Sequence, residues 1–237
     1  MATQKTNAFD DPVAIREHII DRVCDISIYK TPYPHAIIDN FFPDDIVRKI
    51  DNFFPCVAQS VFDSVDETKE QKRYRRSFFG NDTDKTSLER TLDEVYNVEL
   101  LKFFLEKFDI QYNTNYAWGI QYVWDYSVRG HNALPPHVDQ PSKVLSFVHY
   151  FPITCIENGK PKVLEIPGTD ILVQNTDGTF AEHTCVEAKR NRCLIFEKST
   201  KSWHAVKETK TPRRTITAFI IDKRVTGGKN GSFLYLK

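Results

Sequence analysis

The chain carries no net charge, because 32 lysines and arginines offset 32 aspartates and glutamates. No overall field therefore draws it to nucleic acid or to a membrane surface. That excludes a polyanion-coating protein, though not a local basic patch. No apolar run approaches the length needed to cross a bilayer. The opening "MATQKTNAFDDPVAIREH" has no apolar core of signal-peptide length. No CxxC pair is present, and the cysteines (Cys24, Cys56, Cys155, Cys185, Cys193) are odd in number and scattered, which signals neither a disulfide framework nor a thiolate zinc site. There is no internal repeat and no low-complexity tract. These absences leave an ordinary globular chain, expected in a reducing, cytoplasmic setting with no membrane association and with its thiols in structural roles. Its 237 residues suffice for one generous domain or two small ones.

What is present divides near residue 115. The first part reads as helical with one strand. "DPVAIREHIIDRVCDI" places proline just after Asp11, a helix-opening arrangement. "HAIIDNFF" is a short apolar strand, and "PDDIVRKIDNFF" opens a second helix with proline and two acids. "TSLERTLDEVYNVELLKFFLEKF" reads as one amphipathic helix, with Thr86 and Glu89 in capping-box spacing. After that, short segments rich in β-branched and aromatic residues follow one another, bounded by Gly, Pro, Asn or Asp: "YAWGIQYVWDYS", "KVLSFVHYF", "KVLEI", "DILVQN", "HTCVEA", "RCLIFE" and "RTITAFII". This rhythm predicts a sandwich or barrel. The fold class expected is α+β with a mainly β core and an N-terminal helical layer. One composite domain is expected over 1–237, with 1–114 as mostly helical support and lid region, 115–222 as the β core and 223–237 as a tail.

Within "PPHVDQPSKVLSFVHYF", His137 and Asp139 stand two residues apart. In a strand that spacing turns both side chains to one face, so the two could grip a single object. His204, in "EKSTKSWHAVKETKTPRRTITAFI", follows a strand and a polar turn and is the third candidate ligand. Two histidines and a carboxylate form the facial triad of non-haem iron(II), and the same set also suits zinc. Arg213 and Thr215 follow in an evident strand and share a face. An arginine fork with an adjacent hydroxyl would hold the far carboxylate of a metal-chelating 2-oxo acid. Arg214 is expected to point the other way, to solvent.

The stretches "PYPHAIIDNFFPDDI", "YSVRGHNALPPHVDQPSKVLSFVHYF", "NRCLIFEKSTKSWHAV" and "PRRTITAF" together resemble the 2-oxoglutarate and iron(II)-dependent oxygenases, nearest the prolyl-hydroxylase-like branch. The resemblance runs in family order from about residue 33 to about 222, and the ordered set is far more specific than any one motif. It implies a double-stranded β-helix (a jelly roll, cupin-like) with iron at its open mouth. It implies His137, Asp139 and His204 as catalytic iron ligands, and Arg213, Thr215, Tyr126 and Tyr150 around 2-oxoglutarate. It also implies dioxygen as co-reactant, admits ascorbate as an accessory reductant, and yields succinate and carbon dioxide. Asp139 favours hydroxylation over halogenation, since related halogenases carry a small residue there. One departure stands out. Many relatives have a Gly-Gly-Glu-Thr-like turn where this chain has "FPITCIENGKPKVLEI", so a rebuilt hairpin is expected.

The substrate is less legible. A protein side chain of prolyl type, or a small amino-acid-like molecule, fits the resemblance. "ETKEQKRYRRSFFGNDTDK" could be a solvated loop or a lid, with Arg73, Arg75 and Arg76 meeting an acidic peptide, a nucleotide or a carboxylated small molecule. Basic residues beside aromatics also suit single-stranded nucleic acid, although nothing else favours that partner. His131 is a further candidate substrate residue, while His149 is expected to pack beneath the sheet or face solvent. Two rival classes stand beside the oxygenase: a zinc-dependent cupin-type hydrolase or isomerase, and a non-catalytic β-barrel binding module. Oligomeric state is not legible.

Overall fold

The computed structural model describes residues 11–56, 64–68, 71–77, 85–126, 133–158, 160–164, 166–208, 211 and 213–225. Among the described residues four helices precede most of the sheet: α1 (Pro12–Cys24), α2 (Asp44–Cys56), α3 (Ser87–Val95) and α4 (Val98–Lys107). Asp11 caps α1 by accepting from the Val13 amide, and Thr86 with Glu89 forms the expected capping box of α3. The single helix expected over 86–108 is two. Tyr96 leaves the helical path, and the Asn97 side chain accepts from the Leu100 amide to start α4. The apolar periodicity runs through this break because both helices lay their stripe on the same core.

The strands are β1 (His35–Ile38), β2 (Ser64–Thr68), β3 (Gln71–Ser77), β4 (Tyr116–Tyr126), β5 (Leu134–His137), β6 (Lys143–Tyr150), β7 (Thr154–Glu157), β8 (Lys160–Val163), β9 (Thr169–Gln174), β10 (Phe180–Val186), β11 (Arg192–Glu197), β12 (His204–Val206) and β13 (Arg213–Asp222). They form a seven-stranded sheet in the order β1-β11-β6-β13-β4-β3-β2 and a four-stranded sheet in the order β10-β9-β12-β5. The two antiparallel sheets make the jelly roll. A separate β7–β8 hairpin carries most of the stretch where a rebuilt turn was expected. Residues 64–68 and 71–77 correct the reading of the first part as helical with one strand. A run dense in charge lacks the apolar alternation that marks a strand, yet β3 pairs with β4 along its length.

Alternation along the large sheet separates two cores. Cys193 and Ile195 of β11, Leu145 and Phe147 of β6, and Ile216, Ala218 and Ile220 of β13 pack with the helices. Leu194 and Phe196 of β11 and Tyr150 of β6 face the small sheet, against Ile171 and Val186. Each such side chain taken from water contributes about 1.5–3 kcal/mol. β11, β6 and β13 are thus buried on both faces, and between them and the small sheet lie the polar residues described next.

Candidate functional site

β5 and β12 pair antiparallel with His137 directly opposite His204. Directly opposed residues project to the same side of a sheet, and the two imidazole centroids are 4.2 Å apart. Each ring is held from behind. His137 Nδ1 donates to the Pro135 carbonyl at 2.8 Å, and His204 Nδ1 donates to the Ser202 carbonyl at 3.0 Å. A carbonyl only accepts, so each ring carries a proton on Nδ1 and leaves Nε2 as the atom available for ligation. Burial lowers the His204 pKa to about 4, although the Asp139 carboxylate opposes the shift. The ring is therefore neutral at neutral pH.

Asp139 reaches the same place by another route. β5 ends at His137, so strand alternation does not position Asp139. Two residues of β6 do: Lys143 Nζ donates to Oδ1 at 2.6 Å and Ser146 Oγ donates to Oδ2 at 2.5 Å. Burial alone would raise this carboxyl; the Lys143 charge, the nearby His204 and the two hydrogen bonds outweigh it and hold the pKa at about 2. One donor atom from each of His137, Asp139 and His204 lies within 4.8 Å of the others, the one such group among the described residues. Two imidazole nitrogens and an ionised carboxylate are a donor set that fits divalent iron, and zinc as well.

Deeper between the sheets lies a second polar cluster. Arg213 and Thr215 share the face toward the small sheet and are both buried. Tyr150 lies opposite Thr215, and its hydroxyl donates to Thr169 Oγ1 at 2.7 Å. The Arg213 guanidinium donates to the same oxygen at 3.3 Å and stands 5.5 Å from the Tyr150 ring centroid. Burial pushes the Tyr150 phenol up to about 12. The Thr215 hydroxyl is buried with no hydrogen-bond partner among the described residues. Leaving such a group unpaired costs about 1–3 kcal/mol. A buried guanidinium, a phenol held neutral and an orphan hydroxyl together suit an anionic oxygen ligand.

Four residues of this neighbourhood were not found in the sequence reading: Tyr33, Lys143, Ser146 and Thr169. Ser146 shares the alternation of Tyr150 along β6, a signal that was available. Thr169 follows Gly168, where an added Cβ would meet the Val186 carbonyl oxygen at 1.5 Å; glycine lets β9 begin this close to β10. Tyr33 donates to the Trp203 carbonyl at 3.1 Å, packs on Phe196, and Phe196 in turn packs on His204 at 4.8 Å. Arg214 corrects an expectation. It does point away from Arg213, but it is buried under α2: Nε donates to the Phe151 carbonyl at 2.9 Å and the guanidinium pairs with Asp51 at 3.3 Å. Tyr126 ends β4, its backbone opposite Lys72, and Arg73, Arg75 and Arg76 lie on β3; the side chains of these four, and all of His131, lie outside the described residues.

No family model matches the chain, and no curated protein matches it in sequence. Solved structures do resemble it in fold. A prolyl 4-hydroxylase from Phytophthora capsici superposes with a TM-score of 0.60 at 15% identity, over 96% of this chain and 71% of the other. A Trichoplax adhaerens prolyl hydroxylase, in complex with a hypoxia-inducible-factor oxygen-degradation-domain peptide fragment, gives 0.54 at 12% identity over 94% and 96%. An oxidoreductase of the 2OG-Fe(II) oxygenase family from Burkholderia pseudomallei gives 0.52 at 12% over 86% and 88%. With two antiparallel sheets closing on a His-Asp-His cluster, the chain has the jelly-roll fold of prolyl hydroxylases and related 2OG-Fe(II) oxygenases.

Proposed function

We propose that the protein is an iron(II)- and 2-oxoglutarate-dependent dioxygenase that hydroxylates a C–H bond, in a protein side chain of prolyl type or in a small amino-acid-like molecule. The observation that carries the reading is the pairing of two clusters between the facing sheets: three candidate metal donors, and a buried Arg213–Thr215–Tyr150–Thr169 group. A hydrolytic zinc site has no use for the second cluster, whereas a 2-oxo dicarboxylate needs one cation at each end.

His137, Asp139 and His204 would hold the metal. The oxidising power is supplied by ferrous iron with 2-oxoglutarate and dioxygen, and the chain's own part is to place and to shield. Pro135 and Ser202 fix the imidazole tautomers. Arg213 and the Thr215 hydroxyl receive the distal carboxylate, and Tyr150 closes the pocket wall with its proton retained. Phe196 and Ile171 keep water from the inner side. The peptide bound to the Trichoplax protein supports a peptide substrate here. Among the described residues no helix is long and apolar enough to cross a membrane, and the scattered cysteines support a reducing compartment such as the cytoplasm.

Anaerobic addition of iron(II) and then 2-oxoglutarate tests this. A weak visible metal-to-ligand charge-transfer band is expected in the wild type and not in His137→Ala, along with substrate-dependent succinate formation that the variant lacks. Tight zinc retention with no band would overturn the oxygenase reading in favour of the cupin-type hydrolase.

A further inference from the structure

Asp139 is gripped by an ammonium as well as by a hydroxyl, and the two do different things. The Ser146 hydrogen bond to Oδ2 orients the carboxylate without changing the charge of the site. Lys143 brings a full positive charge to Oδ1. Its side chain is only 11% exposed, and its ammonium sits 3.7 Å from the centroid of the Phe219 ring. Lysine is strongly hydrated and is rarely buried unless paired. Here carboxylate and aromatic ring hold it together, which fixes its place beside the donor set.

A cation bonded to one ligand oxygen stands roughly 5 Å from any ion that the same carboxylate holds, and at that range like charges repel appreciably even at intermediate dielectric. Two neutral imidazoles and one carboxylate leave a divalent ion with roughly one net positive charge. Adding Lys143 raises the local sum to roughly two. That sum opposes a bare ion and attracts a dianion, whose far end is met separately by Arg213.

We propose that Lys143 is a positioning residue that couples the two ligands of the site: its ammonium, seated between Asp139 and Phe219, weakens binding of a divalent ion alone and favours binding of the ion together with a dianionic 2-oxo acid. Ion and cosubstrate then load as a pair. The inference rests on the reading of His137, Asp139 and His204 as metal ligands.

The test uses manganese(II) as the probe. The full-length chain is titrated anaerobically, with free manganese followed by electron paramagnetic resonance, in the absence and presence of saturating 2-oxoglutarate. The readout is the ratio of the two dissociation constants, which a merely structural lysine would not set. Lys143→Met keeps the alkyl stem against Phe219 and removes the charge. Because the variant also gives up one of the two holds on Asp139, the absolute affinities are not the readout; it is expected to lose about tenfold of the ratio. Lys143→Arg restores the ratio toward the wild-type value. Ser146→Ala weakens manganese about equally in both arms and leaves the ratio unchanged. Phe219→Leu, which keeps the charge and removes its seat, shifts the ratio in the direction of Lys143→Met by less and serves if that variant does not fold. An unchanged ratio in Lys143→Met, with wild type binding and His137→Ala not binding, overturns the role of Lys143 and leaves the metal site standing. Wild type that binds no manganese, or His137→Ala that binds equally well, overturns the metal site and the coupling with it.

Discussion

Acid should destabilise this protein through a histidine that takes no part in the site. His149 of β6 is 1% exposed and faces the helices. Its ring lies 4.6 Å from that of Phe41 and 5.1 Å from that of Phe42. Nε2 shares a hydrogen bond with the Tyr96 hydroxyl at 2.9 Å, Cys193 Sγ is 3.9 Å away, and Nδ1 has no partner among the described residues. The titratable groups that touch it, Tyr96 and Cys193, are themselves kept neutral by burial. Burial pushes the His149 pKa down to about 3. The unfolded chain takes up this proton near pH 6.5 and the folded chain does not, so the unfolded state is favoured progressively as pH falls below 6.5. The slope is about 1.4 kcal/mol per pH unit, which amounts to about 2 kcal/mol lost at pH 5. Urea unfolding followed by circular dichroism, with chelator present, measures the loss at pH 7.5, 6 and 5. Burial also depresses His204, so the His149 share is isolated by comparison with a variant. In Tyr96→Phe/His149→Leu both polar partners become apolar, and its stability should fall less steeply by about 1.2 kcal/mol between pH 6 and 5. His149→Leu alone strands the Tyr96 hydroxyl and should cost about 1–3 kcal/mol at pH 7.5. A double variant with the wild-type slope would refute the reasoning.

Arg213→Ala should raise the 2-oxoglutarate concentration needed for half-maximal turnover by about tenfold or more, the loss of a charged hydrogen bond, whereas Arg214→Ala should leave it unchanged and instead lower the urea midpoint, since it uncouples Asp51 and the Phe151 carbonyl; steady-state kinetics and unfolding measured on both variants decide it, and equal kinetic effects would reject the assigned faces. Gly168→Ala should destabilise by several kcal/mol or prevent folding, because the new Cβ would meet backbone at 1.5 Å where no side chain can yield; a melting temperature like that of wild type would reject the close approach of β9 to β10.

Legibility followed how local each cause was. The capping box at Thr86 and Glu89 needs only four residues of chain, and it was readable. The alternation that puts Arg213 and Thr215 on one face is also local, but what covers Arg214 is α2, more than a hundred residues earlier. The break at Tyr96 was hidden although its cause, the Asn97 cap of α4, is local, because the apolar periodicity runs through it unbroken. The spacing of two groups Asp139 with His137 through a strand argument; the structure brings it to the histidines through Lys143 and Ser146 instead, so the three side chains do meet, for a reason the spacing does not contain. β2 and β3 escaped because charge-rich strands at a sheet margin resemble loops in composition. Thr169 and Tyr33 join the site by tertiary contact alone, and no motif marks them.

β5 has a bearing on how anything long could approach the His-Asp-His cluster. It is the last strand of the small sheet, and two of its four residues are prolines with exposed rings. Neighbouring amides in a strand point to opposite sides, so consecutive prolines delete one donor on each. The Pro135 carbonyl is already occupied by His137. A polypeptide laid along this strand would therefore find few main-chain groups to pair with, which disfavours strand addition at the edge beside the His-Asp-His cluster and favours approach by a single protruding group.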